Sequence, residues 1–198
     1  PVPLLASKPS LPDVLSNTKL EISDSSQVKK FSGSKLNKGS KGFYRTVYNA
    51  SYYQVLATQI TTGHFDPLDR LNLLSDISEA AKAGKLPVTE ALNLLDSYRN
   101  EDDSAVWDII VSLIGSVRQI MDDNQVREDM KPYIRQLVSI QVKRLGWKPK
   151  PNEPHFDGLL RPTILGLASV AEEPSIVKEA LARFTKQKKK KPNQIEPD

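Results

Sequence analysis

The chain has 198 residues, no cysteine, two histidines and a formal net charge of +4, which removes disulfides, thiolate metal sites and cysteine nucleophiles from consideration. Lys186 and Lys188–Lys191 carry five positive charges between them, so the rest of the chain sums to −1. The body therefore lacks the basic, aromatic-interleaved face expected of a nucleic-acid binder. No apolar run approaches the roughly 18 residues that cross a bilayer, and the first residues lack the basic-then-apolar layout of a signal peptide. With no initiator methionine, the chain is expected to be an excised piece of a longer protein. The missing cysteines fit a reducing compartment, and a cytoplasmic setting is expected.

Residues 1–48 read as short strands punctuated by Pro and Ser, the best being Val2–Leu5, Lys19–Ile22 and Phe43–Tyr48. In the last of these, Phe43, Arg45 and Val47 alternate with Tyr44, Thr46 and Tyr48, the period of a half-buried strand. Gly39 and Gly42 precede it as turn residues. So few strands make half a sandwich rather than a closed domain.

At Asn49 the period changes from two to 3.6. Tyr53, Leu56, Ala57 and Ile60 share one helical face, and Gly63 is the expected stop. Asp66-Pro67 supplies an N-cap followed by Pro at the first helical position. Leu68, Leu71, Leu74 and Ile77 continue that helix as its buried stripe to about Ala83. Further helices are expected over Pro87–Tyr98 (Val88, Ala91, Leu92, Leu95), Ser104–Met121 (Trp107, Ile110, Val111, Ile114) and Asn124–Leu145, the last kinked or split at Pro132. A Pro-rich connector, Lys148–Pro154, leads to helices over Phe156–Ala171 and Pro174–Phe184. Residues 188–198 read as a lysine-rich disordered tail or loop. Seven helices with short Gly/Pro breaks suggest stacked hairpins, although no strict repeat is present.

The chemistry expected of an active site is missing. There is no H-E-x-x-H, Walker A loop, G-x-S-x-G or G-x-G-x-x-G. His64 and His155 each lack a second histidine three or four residues away, so no zinc ligand set assembles locally. The carboxylate pairs Asp102–Asp103, Asp122–Asp123 and Glu172–Glu173 sit where helices begin or end, where they favour the helix dipole or face water. Trp107 lies on an apolar stripe and reads as core.

N-K-G-S-K-G-F-Y-R-T-V-Y (Asn37–Tyr48) resembles the "G-Y-Y-R-V-x-Y" strand of the M1 family of zinc aminopeptidases. D-P-L-D-R-L-N-L-L-S-D (Asp66–Asp76) is similar to that family's "D-R-x-x-L-L-x-D" helix, and N-E-D-D-S-A-V-W (Asn100–Trp107) to its "N-E-x-x-x-x-V-W". R-L-G-W (Arg144–Trp147), H-F-D-G-L-L-R (His155–Arg161) and I-E-P-D (Ile195–Asp198) follow in order. The resemblance implies a mainly α fold with a small β part: a partial β-sandwich (1–48), then stacked helical hairpins in a HEAT-like α-α superhelix (49–187), a truncated substrate-gating domain. It implies that the parent is a zinc metallo-aminopeptidase removing N-terminal residues from peptides, while this region holds no catalytic residue and no metal. Zinc would belong to an upstream catalytic domain of the same chain. Partners would be that domain and peptide substrates, with no nucleic acid and no membrane contact.

By the same resemblance the helical bowl covers the active-site cleft, and Arg161, Thr163 and His155 are candidates for lining the substrate cavity. A structural ion pair between helices is the preferred role for Arg161, and Pro162 beside it puts its orientation in question. Tyr44, Arg45, Asp66, Arg70, Asp76, Glu101 and Trp107 match family motifs with structural roles. The rival reading is a free-standing helical-repeat module for protein–protein interaction.

Overall fold

The computed structural model describes residues 33–120 and 123–190, with the strand residues 2–3 and 14–15. Seven α-helices dominate these residues: α1 (Ala50–Thr61), α2 (Pro67–Lys82), α3 (Val88–Leu95), α4 (Ser104–Ile120), α5 (Asn124–Leu145), α6 (His155–Val170) and α7 (Pro174–Lys190). Two 3-10 turns, Lys38–Ser40 and Asp96–Tyr98, interrupt them. The chain divides into two compact units, Pro1–Val117 and Arg118–Asp198.

The helix starts follow local chemistry. The Asn49 side chain accepts from Tyr52 N–H to cap α1, and Asp66 accepts from Asp69 N–H to cap α2 with Pro67 in its first turn. Both devices satisfy N–H groups that have no partner inside the helix. Past the ends of α1 and α2, Gly63 and Gly84 take φ of +73° and +67°, a region closed to most side chains.

In the first unit α2 packs on α3, and α1 packs on α3 and on the Asp96–Tyr98 turn. Tyr53, Leu56 and Ile60 of α1, Leu73, Leu74 and Ile77 of α2, Ala91, Leu94 and Leu95 of α3, and Trp107 and Ile110 of α4 are buried. The α2 stripe is rotated from the expected one: Leu68 is half exposed and Leu71 only partly buried, while Leu73 and Ala80 face inward. The rotation has a cause. The inward face must also hold Asp69 and Asp76, whose partners lie in the preceding segment.

In the second unit α6 packs on α5 and on α7. Ile134, Leu137, Val138 and Leu145 of α5, Leu160, Ile164 and Leu167 of α6 and Ile176 of α7 form its core. Pro132 and Pro162 both lie within unbroken helices, so the expected kink or split at Pro132 does not divide α5. Helix α7 runs to Lys190 instead of stopping at Phe184. Lysine is a good helix former, and its charge is favourable at a helix C-terminus.

The expected strand Phe43–Tyr48 is corrected. Among the described residues the only sheet is the antiparallel pair β1 (Val2–Pro3) and β2 (Val14–Leu15), with Val2 opposite Leu15. The rest of the Val2–Leu5 expectation, and all of Lys19–Ile22, lie outside the described residues. Phe43–Tyr48 keeps its alternation, with Phe43, Arg45 and Val47 exposed and Tyr44, Thr46 and Tyr48 turned inward. It forms no ladder, because its inward backbone groups bond to side chains, as the next section shows.

Candidate functional site

The most connected polar region is the junction where the segment before α1 lies on α2. Lys35 is fully buried, and its ammonium donates to the Leu36 and Asn37 carbonyls, Asp69 Oδ1 (3.1 Å) and Asn72 Oδ1 (2.7 Å). Burial pulls the Lys35 pKa down, and Asp69 opposes that shift; the charge is tolerated because it is paired and fully solvated by protein oxygens. Asp69 Oδ1 also accepts Gly39 N–H at 2.8 Å. This holds the Lys38–Ser40 turn, where Asn37 and Gly39 both have positive φ.

Asn37 completes the turn. Its side-chain amide donates to the Gly42 and Tyr44 carbonyls, and its oxygen accepts Gly42 N–H at 2.7 Å. A Cβ at Gly42 would stand 2.3 Å from the Tyr44 ring, so only glycine fits there.

Asp76 anchors the next segment. Its Oδ2 accepts both the backbone N–H and the hydroxyl of Thr46 at 2.8 Å, while Arg45 reaches Oδ1 only at 3.4 Å from an exposed position. Three tyrosines finish the clasp. Tyr48 OH accepts Leu36 N–H at 2.9 Å. Tyr52 OH accepts Ser34 N–H and donates to the Ser34 carbonyl. Tyr53 OH accepts Tyr48 N–H at 3.4 Å. Tyr48 stacks on Tyr52 and meets Tyr53 edge-on. Burial raises the pKa of all three hydroxyls.

A second centre joins α2 to the loop before α4. Arg70 forms a bidentate pair with Glu101, Nε to Oε2 at 2.6 Å and Nη2 to Oε1 at 2.7 Å, and Nη1 donates to the Phe65 carbonyl. The hydrogen bonds to Glu101 hold the guanidinium pKa above its ordinary value. Glu101 Oε1 also accepts the N–H groups of Asp102 and Asp103. Trp107, fully buried, donates its indole N–H to the Glu101 carbonyl, and Tyr98 OH donates to the Arg70 carbonyl. A cavity of about 200 Å³ beside this pair is lined by Thr61, Gly63, Ser97, Asn100 and Asp102.

The third centre, in the second unit, binds the connector between α5 and α6. Arg161 is buried, pairs with Glu153 through both terminal nitrogens, and points Nε at the Leu145 carbonyl. Arg144 pairs with Asp157 at 2.6 Å, and Lys150 donates to the Arg144 carbonyl. The hydrogen bonds from Arg161, then the Lys150 N–H, pull the Glu153 carboxyl below its ordinary pKa. Trp147 on the same connector lies under the Arg183 guanidinium of α7 at 4.8 Å.

The structure thus brings Arg70, Asp76, Glu101 and Trp107 into the two tethers of α2, which Asp66 caps, with Arg45 and Tyr44 in the segment joined to it. His64 meets the Thr62 hydroxyl at 2.7 Å in an exposed loop. His155 starts α6, edge-on to Phe156, and Thr163 is half-buried two residues after Arg161. Lys35, Asp69, Asn72 and Glu153 were not anticipated: each lies in a stretch whose pattern carries no mark of its partner, 34 residues away for Lys35 and Asp69. Among the described residues no group of three or more His, Cys, Asp or Glu could hold a metal. No described helix is long and apolar enough to cross a membrane.

Polar tethers of this kind hold the described helices together, and comparison with known proteins says to which family the chain belongs. Residues 34–198 match the ERAP1-like C-terminal domain family, and the chain belongs to it. Aminopeptidase 2 of Candida albicans is 29% identical over 155 residues, which are 76% of this chain and 17% of that protein. Aminopeptidase M1-D of Oryza sativa subsp. japonica is 31% identical over 153 residues, again 76% and 17%. Glutamyl aminopeptidase of Sus scrofa is 32% identical over 137 residues, 68% of this chain and 14% of that protein. The chain spans less than a fifth of the length of these relatives.

Proposed function

We propose that this chain is the non-catalytic C-terminal region of a zinc-dependent M1 aminopeptidase that removes N-terminal residues from peptides. The observation that carries the reading is the family match over residues 34–198, joined to relatives that are named aminopeptidases. Zinc, the catalytic glutamate and the pocket for the first substrate residue belong to an upstream domain, and the preceding segment belongs to a β-sandwich. The helices form part of a HEAT-like superhelical bowl that covers the cleft and limits access, a role whose physical basis is water exclusion and size selection. A cytoplasmic setting goes with this reading, supported by the absence of cysteine.

Within the bowl, His155 and Thr163 of α6 are the residues for meeting the distal part of a peptide. The Arg161–Glu153 pair supports a positioning role for Arg161, which fixes α6 against its connector. Two measurements test the reading. The gene should encode H-E-x-x-H upstream of Pro1, and an open reading frame beginning near Pro1 would refute it. In the enzyme so encoded, Thr163→Arg should lower kcat/KM for long peptides and spare a single-residue aminoacyl reporter. An equal loss on both substrates argues against cleft gating.

A further inference from the structure

The cavity of about 200 Å³ beside the Arg70–Glu101 pair lies within the first unit, between the end of α1 and the loop before α4. Ile60 and Tyr98, both buried, give it an apolar side, and Asn100 and Asp102, both exposed, give it a polar rim. Its volume equals that of about six waters at ~30 Å³ each, room for a small organic molecule.

The polar groups around it are set as acceptors. A hydroxyl has one proton to donate. Thr61 donates its own to the Ala57 carbonyl, Ser97 to the Leu94 carbonyl and Tyr98 to the Arg70 carbonyl, so each has only lone pairs left to offer. Arg70 spends most of its N–H groups on Glu101 and the Phe65 carbonyl, and its charge cancels that of Glu101. Asp102 is different: its carboxylate has no hydrogen-bond or ion-pair partner among the described residues. Thr61 ends α1, whose C-terminus adds partial negative charge.

We propose that this cavity binds a short primary alkylammonium ion. The ammonium donates to the Asp102 carboxylate and to the hydroxyl lone pairs, and the carbon chain lies against Ile60 and Tyr98. Calcium fits less well, because it takes roughly six to eight oxygen ligands and Asp102 is the one lining carboxylate not already bonded to Arg70. An anion would meet Glu101 and Asp102 with like charge. The proposal does not depend on the aminopeptidase reading.

The test titrates the 198-residue chain with n-butylammonium chloride at constant ionic strength, followed through backbone amide chemical shifts. Saturable shifts are expected at Gly63, Asn100 and Asp102, and none at Ile134 or Leu160 in the second unit. Sodium butyrate should give no saturable shift because of its charge, and tetramethylammonium chloride none because it has no N–H to donate. Asp102→Asn should weaken binding about three- to fivefold, the share of a partly exposed ion pair. Three results overturn the proposal: no saturation with n-butylammonium, an equal response to butyrate or tetramethylammonium, or an unchanged affinity in Asp102→Asn.

Discussion

Two stretches of irregular chain are bound to helices by charged side chains, and they differ in how far those charges are taken from water. At the junction the charges are interior: Lys35 and Asp69 have 0% and 3% of their side-chain surface exposed. At the connector they lie nearer the rim. Arg161 and Glu153 expose 8% and 15%, Arg144 and Asp157 35% and 15%. An interior charge that loses its partner stays buried and uncompensated, whereas water can replace a partner at the rim. Ion pairs of similar length should therefore differ several-fold in consequence.

The junction gives the largest expected effect. Lys35→Met keeps the side chain's length but strips Asp69 and Asn72 of their donor, and should cost about 3–5 kcal/mol of unfolding free energy. Urea unfolding measures it, and a loss no larger than at the connector would erase the distinction. Glu101→Gln comes next. It keeps the shape and one acceptor oxygen but removes the charge opposite Arg70, so a cost of about 2–3 kcal/mol is expected. Trp107 fluorescence should follow that transition, since its indole N–H is held by the Glu101 carbonyl.

What could be read from the sequence divides along the same line. The seven helices were legible because caps and breakers act locally: Asp66-Pro67, Gly63 and Gly84 need no distant partner to work. The alternation of Phe43–Tyr48 was legible too, yet it implied a neighbouring strand where the structure supplies Asp76, Asn37 and Tyr53. Periodicity reports which side is buried and is silent on what covers it. Arg70, Asp76, Glu101 and Trp107 stand in stretches picked out through family motifs, and each hydrogen-bonds a residue far off in the chain or in the loop before α4. Lys35 was missed because a lysine in a K-G-S-K-G neighbourhood looks solvated; its burial depends on Asp69 and Asn72 arriving on α2. Pro162 looked like a threat to Arg161, yet α6 runs through it unbroken.

The connector should show itself most clearly in acid. Glu153 has its pKa lowered by hydrogen bonds from Arg161 and Lys150 N–H. Its contribution is then fully present above the unfolded carboxylate value of about 4.3 and is lost as pH falls through the depressed folded value. The difference in Tm between the parent chain and Glu153→Gln should be constant from neutrality to about pH 5 and shrink below about 4. A difference that persists unchanged to strong acid would mean that geometry, not charge, holds the connector. The effect should be smaller than at Lys35, because Glu153 lies nearer the rim than Asp69 does.

The smallest effect sharpens the comparison by removing a contact with no anion in it. Arg183 lies 4.8 Å from the Trp147 ring centroid and also pairs with Glu179 along α7. Both arginine contacts are substantially exposed, so Arg183→Ala should cost about 0.5–1 kcal/mol, close to the cation–π contribution alone. The cation–π share should be independent of salt concentration to first order, whereas the Glu179 share is screened. Comparing Arg183→Ala with Glu179→Ala in low and high salt separates them. If the connector depends on Trp147 as an anchor, the Arg183 loss survives high salt and the Glu179 loss does not. Disappearance of both effects in high salt would reduce the Trp147 contact to proximity and leave the connector to the contacts of Glu153 and Lys150.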